Sequence, residues 1–285
     1  MLYNLKGGSF TVAFINEDAF GYDVDCAWVL DGATGLNGKR LVAQEGGSDA
    51  QWYSSAFSEF LRQHLPNSNM PLNELFSNGV KTVWAEFERR AGHTVQREDV
   101  PCAAGTAVRI KEGFLEYICV ADCCLLVRYQ DGTVKEFLDD TICVLDRHSM
   151  AMAAEIARKK GLQVSQCRQD IMPRLRRVRM TMNTPEGYIA LADNPNTVLK
   201  TVSGKIPLEQ IKDVCMVSDG FSEYYNMFSL ADSLENFMDQ VENTPPEALF
   251  DRLIAAQRED EALQKFPRFK LSDDSTILYF SLGNS

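Results

Sequence analysis

Short apolar runs alternate along the chain with longer stretches in which apolar residues recur at helical spacing. The short runs predict strands at residues 9–15, 26–30, 105–110, 114–121, 123–129, 133–137, 141–145, 187–192, 213–217 and 277–282. Helical spacing predicts helices from about 48, from about 71, at 150–160, at 169–182, and twice after 217, the last ending near 266. This order predicts an α+β fold in which helices cover antiparallel sheets.

Some predicted elements carry local signals for how they begin or connect. The strand at 9–15, the turn at 16–18 and the strand at 26–30 predict an opening hairpin, and the strands from 105 to 145 predict an antiparallel meander. Ser48 with Gln51 forms a capping box at a helix start. Thr244-Pro245-Pro246-Glu247 gives the last helix a threonine cap.

Composition and charge narrow the class of protein. The 285 residues are 45% hydrophobic and 24% charged, and no linker or repeat divides them, so a single domain over 1–285 is expected. The net charge of -11 disfavours binding to nucleic acid or to an anionic membrane. No apolar run approaches the roughly 20 residues that span a bilayer, and no signal peptide is evident. Together with eight cysteines lacking a C-x-x-C motif, this predicts a cytoplasmic protein with reduced thiols.

Acidic residues mark the ends of three strands that are far apart in the sequence. Asp31-Gly32 and Asp219-Gly220 each end an apolar run, and Asp273-Asp274 stands just before another. The glycines are expected to allow tight turns. Carboxylates gathered at one sheet rim repel each other unless a cation lies among them, so the pattern predicts a divalent metal site.

Two further features each have two interpretations. Asp122 interrupts an apolar stretch, either as a turn residue or as a further metal ligand. A group of arginines in an acidic chain predicts either a solvated helix face, which is favoured, or a surface that faces a phosphate: Arg168, Arg174, Arg176, Arg177 and Arg179. The three histidines lie outside these motifs.

Six short motifs, in order, resemble those of the metal-dependent Ser/Thr protein phosphatases of the type 2C family, also called PPM, in a form like the single-domain bacterial enzymes. The resemblance spans essentially the whole chain and rests on Glu17-Asp18, Asp31-Gly32, Gly105-Thr106-Ala107, Ala121-Asp122-Cys123, Ser218-Asp219-Gly220-Phe221 and Asp273-Asp274-Ser275-Thr276. It implies a four-layer α-β-β-α sandwich, two antiparallel sheets flanked by helices, with two Mn²⁺ or Mg²⁺ ions at one end.

The resemblance also implies a role for each acid. Asp31 would bridge both ions, Glu17 and the Gly32 carbonyl would hold one, and Asp219 and Asp273 would hold the other. Asp122, with Asp219, would bind a third and weaker ion. Asp18 and Asp274 would support these ligands, and Asp31 and Asp219 would be the main catalytic acids.

The residue types agree with this chemistry. Oxygen ligands without histidine suit hard Mg²⁺ or Mn²⁺. Two such ions lower the pKa of a bridging water, and the resulting hydroxide attacks phosphorus directly.

The chain departs from the family pattern at two positions. Ala13 stands where most members carry a phosphate-binding arginine, and Ala33 where many carry a histidine that acts as general acid. Losing a general acid typically costs ~10²–10⁴-fold in rate. If their helix packs near the metals, Arg174, Arg176, Arg177 and Arg179 are candidates to bind the phosphate instead.

Three functional hypotheses remain. The favoured one is a cytoplasmic signalling phosphatase that hydrolyses phosphoserine or phosphothreonine in a protein partner. The second is a catalytically impaired module that binds and regulates a phosphoprotein, because of Ala13 and Ala33. The third is an α/β binding domain whose acids are ordinary loop residues, which predicts no Mn²⁺ binding. The sequence leaves the oligomeric state open.

Overall fold

Two five-stranded antiparallel sheets form the centre of the computed structural model, which describes residues 1–283. Sheet A has the order β1-β10-β9-β6-β7 and sheet B the order β2-β3-β4-β5-β8. The ten strands in these residues are β1 Leu2–Phe10, β2 Ala19–Asp23, β3 Cys26–Ala33, β4 Cys102–Lys111, β5 Phe114–Val120, β6 Cys124–Tyr129, β7 Val134–Phe137, β8 Val202–Pro207, β9 Ile211–Val217 and β10 Ser275–Leu282.

Helices cover the outer face of each sheet. Within the described residues there are eight α-helices: α1 Asp49–His64, α2 Leu72–Ala91, α3 Thr141–Lys160, α4 Arg168–Met180, α5 Pro195–Val198, α6 Asp219–Asn226, α7 Leu234–Asn243 and α8 Pro246–Glu259. As predicted, the Ser48 hydroxyl caps α1 by accepting a hydrogen bond from the Gln51 N–H at 3.0 Å. No helix within 1–283 is both long and apolar enough to cross a membrane.

Three buried clusters bind the layers together. Val29, Val108 and Met216 belong to the cluster between the two sheets. Trp28 and Phe57 belong to the cluster between sheet B and α1–α2, and a third cluster joins sheet A to α6–α8. Alternate residues of β3 therefore face two different cores, which is why this strand is apolar on both sides. The predicted α-β-β-α sandwich is confirmed.

The opening hairpin was predicted with the wrong strands. β1 spans Leu2–Phe10, ends before residue 15, and pairs with β10 in sheet A. The hairpin consists of β2 and β3, in sheet B. Because β1 runs along the edge of sheet A with half-buried side chains, its apolar pattern is weak in the sequence.

The predicted meander is divided between the sheets. β4 and β5 pair in sheet B, whereas β6 and β7 pair in sheet A. Residues 141–145 belong to helix α3 instead of a strand. The Asp139 carboxylate accepts hydrogen bonds from the Thr141 N–H at 3.0 Å and the Thr141 hydroxyl at 2.5 Å. This local turn just before the helix competes with the strand preference of the β-branched run.

The structure differs from the sequence predictions in three smaller ways. Residues 187–192 make only an isolated bridge between Leu191 and Ala103. The largely exposed edge strand β8 has no apolar alternation and was not predicted. Helix α8 is capped at Pro245, not Thr244, and ends at Glu259 because the Asp260 carboxylate accepts the N–H groups of the following loop.

Candidate active site

The fold brings the predicted acids to one rim of the two sheets. Asp31 lies near the end of β3, and Asp122 lies in the crossing from β5 to β6. Asp219 is the first residue of α6, directly after β9, and Asp273 lies just before β10. Residues from both halves of the chain therefore meet at one place.

The electrostatics show how close these carboxylates are. Burial, with Asp219 as the next cause, raises the pKa of Asp31 well above its usual range and that of Asp122 to about 8. Burial and Asp219 likewise raise the pKa of Asp273 to about 6, against the opposing effect of Lys270. The site therefore gathers carboxyl groups that disfavour one another's charged form, and Lys270 offsets this only in part at Asp273.

Close backbone contacts explain the two Asp-Gly pairs. A β-carbon at Gly32 would lie 2.4 Å from the Glu17 carbonyl oxygen, and one at Gly220 would lie 2.1 Å from the Asp274 carbonyl oxygen. The glycines are thus required by the approach of two chain segments, whereas a tight turn was the predicted reason. These two close approaches place Gly32 against Glu17 and Gly220 against Asp274, so that the acid motifs lie next to one another.

Glu17 is held by hydrogen bonds at three of its groups. Its N–H donates to Asp274 Oδ2 at 2.7 Å, and its carbonyl accepts from the Ser54 hydroxyl at 2.6 Å. The Thr34 hydroxyl donates to Glu17 Oε1 at 2.5 Å. These contacts fix both the backbone and the carboxylate of the residue.

Asp18 has one satisfied and one unsatisfied oxygen. The Thr276 hydroxyl donates to Asp18 Oδ2 at 2.7 Å, while Asp18 Oδ1 is buried without a hydrogen-bond partner. Burial is the main cause that raises the pKa of Asp18 to about 8, and Asp219 and Asp274 add to it. A buried acceptor without a donor is costly unless a proton, a water or a cation satisfies it.

These observations fit a divalent cation. The donor set is made of oxygen atoms, which Mg²⁺ and Mn²⁺ prefer. Across 1–283, no three His, Cys, Asp or Glu side chains are already arranged to hold a metal ion. Lys270 instead forms an ion pair with Asp273 Oδ2. The carboxylates are therefore gathered at the rim, but their ligand atoms do not yet converge on one point.

The two positions that depart from the family pattern are both exposed at this rim. Ala13 and Ala33 carry neither a charge nor a proton donor. Two of the histidines bond to nearby backbone: the ring of His64 to Phe60 O at 2.8 Å, and that of His93 to Ala91 O at 2.7 Å. Neither histidine takes the position of a general acid here.

The arginines of α4 differ in their surroundings. Arg179 is buried, and its Nη2 donates to the Thr34 carbonyl at 2.6 Å while Nη1 contacts Cys102 Sγ at 2.5 Å. It therefore supports the loop that follows Asp31, with both terminal nitrogens engaged. Arg174 has a buried Nε without a partner, whereas three others are exposed: Arg168, Arg176 and Arg177.

Two residues that support the site were given no role from the sequence: Thr34 and Ser54, which hold Glu17. Thr276, which holds Asp18, belongs to the predicted Asp273-Asp274-Ser275-Thr276 motif. Thr34 lies in the run of small residues after Asp31, Gly32-Ala33-Thr34-Gly35, which was a usable signal. Ser54 lies on a helix face that gave no signal in the sequence.

Comparison with known proteins agrees with this architecture. The family model for protein phosphatase 2C matches residues 13–257. No curated protein sequence matches the chain significantly.

Several solved structures share the fold at low sequence identity. The Mycobacterium tuberculosis serine/threonine phosphatase PstP/Ppp superposes with a TM-score of 0.58 and 14% identity over 100% of both chains. A structure of the PstP catalytic domain in complex with two manganese ions has a TM-score of 0.54 and 14% sequence identity over 98% of both chains. The PPM Ser-Thr phosphatase MsPP from Mycobacterium smegmatis has a TM-score of 0.56 and 17% sequence identity over 99% of both chains.

The family match covers most of the sequence, and the acid motifs that carried the resemblance meet at one rim of the matching fold. The chain belongs to the protein phosphatase 2C family.

Proposed function

We propose that this protein is a single-domain, Mn²⁺- or Mg²⁺-dependent phosphatase that hydrolyses phosphoserine or phosphothreonine in a protein substrate. The observation that carries the proposal is the meeting of Asp31, Asp122, Asp219 and Asp273 at one rim. The pairing of β1 with β10 supports one domain, since both ends of the chain complete the same sheet.

The roles proposed for the acids follow their positions. Asp31 lies among the other acids, since Asp219, Asp18 and Asp273 all act on its carboxylate. In our proposal Asp31 would contribute to both ion sites, Glu17 and the Gly32 carbonyl would hold one ion, and Asp219 and Asp273 would hold the other. Asp122 and Asp219 are placed to hold a third ion. The two manganese ions in the structure of the PstP catalytic domain support a two-ion site in this fold.

The chain's own groups prepare the site. When bound, the ions would supply a water of lowered pKa and neutralise charge on the phosphate. Thr34 orients the Glu17 carboxylate, and Asp274 fixes its backbone. Arg179 holds the carbonyl of Thr34 and thereby the whole loop. Such supports typically change metal affinity by about 10–100-fold when removed.

A second function has specific support. Ala13 and Ala33 give the rim no arginine and no histidine at the positions where the family pattern places them. A phosphatase-like module that binds a phosphoprotein without rapid turnover would show the same acid set. We place it second because Glu17 and Asp18 are both held at the rim by hydrogen bonds from Thr34 and Thr276.

The test combines binding and turnover. Isothermal titration with Mn²⁺ is followed by hydrolysis of a phosphothreonine peptide, for wild type, Asp219→Asn and the control Asp251→Asn on the exposed face of α8. The proposal expects Mn²⁺ binding and metal-dependent turnover that only Asp219→Asn abolishes. Mn²⁺ binding without turnover would favour the binding module, and a flat titration would contradict both.

A further inference from the structure

A cavity of about 380 Å³ opens beside the proposed metal ligands. Its walls come from the loop after β1, with Ala13, Phe14 and Glu17, and from the loop before β10, with Lys270 and Asp273. Phe14 is 91% exposed and forms an apolar edge of the opening. The cavity therefore joins the protein surface directly to the acid-rich rim.

Lys270 is the only basic side chain among the described residues that line this cavity. Its ammonium forms an ion pair with Asp273 while its side chain stays exposed. A lysine ammonium, with an ordinary pKa of about 10.4, is charged at neutral pH.

The loop that carries Lys270 is held in place by a buried ion pair. Arg268 Nη1 donates to Asp260 Oδ2 at 2.8 Å, and both side chains are buried. Asp260 also accepts three N–H groups of the loop, and Arg268 Nε donates to the Leu271 carbonyl at 3.2 Å. These contacts hold the backbone on both sides of Lys270, and the ion pair with Asp273 directs its side chain toward the rim.

Resting on the proposed function, we infer that Lys270 binds the phosphoryl oxygens of the substrate as they enter this cavity. A phosphate dianion that approaches several carboxylates is stabilised by a cation of the chain in addition to any bound ions, and Ala13, on the other loop of the cavity, offers none. The lysine supplies a single point charge without the planar fork of an arginine. It therefore selects for the phosphate's charge more than for a fixed phosphate orientation.

A competing role makes the inference testable. Lys270 could serve only as an internal counter-ion that occupies Asp273 until a metal displaces it. In that case its removal would tighten Mn²⁺ binding and leave phosphate affinity unchanged. The two roles therefore predict changes in different binding constants.

The experiment compares three variants with the wild type. Lys270→Met removes the charge at similar length, Lys270→Arg keeps it, and Lys265→Met removes an exposed charge from the same loop as a control. For each, titration gives the affinity for Mn²⁺ alone and then for inorganic phosphate on the Mn²⁺-loaded protein. KM and kcat are measured with a phosphothreonine peptide.

For Lys270→Met we expect phosphate affinity to fall, and KM to rise, by about tenfold or more, as for loss of one charge-assisted hydrogen bond. Mn²⁺ affinity should not weaken, kcat should change less than KM, Lys270→Arg should recover most of the phosphate affinity, and Lys265→Met should behave as wild type. Unchanged phosphate affinity in Lys270→Met would overturn the inference, with or without tighter Mn²⁺ binding. Because phosphate binding is measured directly, a wild type without turnover would contradict the proposed enzyme and still decide the role of Lys270.

Discussion

Gly220→Ala tests whether the close contact between two acid motifs is necessary for the site. The added β-carbon would lie 2.1 Å from the Asp274 carbonyl oxygen and 3.0 Å from Asp273 Cβ. Carbon–oxygen contacts are normally at least about 3.3 Å, so the 273–274 backbone must move by about 1.2 Å. This backbone cannot rotate away as the end of a flexible side chain could.

The substitution should lower both the free energy of unfolding and the affinity for Mn²⁺. Overpacking of this kind typically costs about 1–3 kcal/mol of unfolding free energy. Because the displaced segment carries Asp273, Mn²⁺ affinity should also fall at least about tenfold. Urea denaturation in EDTA measures the free energy of unfolding, and isothermal titration with Mn²⁺ measures the metal affinity.

Gly47→Ala is the matched control. A β-carbon there would lie 3.1 Å from the Gln51 side-chain oxygen, which can move aside, and at ordinary contact distances from the Gln44 carbonyl oxygen and the Ala43 β-carbon. The control should change stability by less than about 0.5 kcal/mol, as is usual for surface positions. If Gly220→Ala matched this control in both assays, the close-contact explanation of the Asp-Gly pair would be refuted.

Three further predictions address the supports of the site and of the core. Thr34→Val, which removes the hydrogen bond to Glu17, should weaken Mn²⁺ binding by about 10–100-fold in titration while the melting temperature changes little. Arg128→Met should cost about 3–5 kcal/mol in urea denaturation because it leaves the fully buried Asp213 unpaired, and an unchanged midpoint would contradict this. Burial raises the pKa of Asp18 from 3.8 to about 8, so the folded state holds this proton more tightly than the unfolded state. In EDTA the melting temperature should therefore fall as pH rises from about 4 to about 8, and excess Mn²⁺ should make this fall smaller. A melting temperature in EDTA that does not change with pH would contradict the prediction.

Much of the fold was predictable from local patterns. Helices α1 and α2 have strong helical spacing, and each was predicted to begin within a residue or so of its observed start. Strands β9 and β10 are continuous apolar runs and were predicted within about two residues of their observed bounds. The pairing of strands was less accessible, because β1 and β10 are joined only by contacts across the whole chain. The strand prediction for residues 141–145 was wrong because a β-branched run favours a strand locally, whereas here it begins the long helix α3 after a turn at Asp139.

The candidate site was predictable as a set of acids but not as a geometry. The order of the Asp-Gly and Asp-Asp motifs indicated which carboxylates would meet. The positions of Lys270 and Arg179 could not be read in the same way, because each depends on how a loop or helix packs against the rim. Lys270 lies three residues before Asp273, and a base that close to an acid motif is the one local hint the sequence offers.

The measurement that tests the account most directly is Mn²⁺-dependent hydrolysis of a phosphothreonine peptide by wild type, Asp31→Asn and Asp219→Asn, with Mn²⁺ binding titrated in parallel. The account predicts turnover in the wild type that requires added metal and disappears in both variants, whose Mn²⁺ affinity also falls. Turnover that survives in both variants, or a wild type that binds no Mn²⁺, would contradict the assignment of this rim as a metal-dependent phosphatase centre.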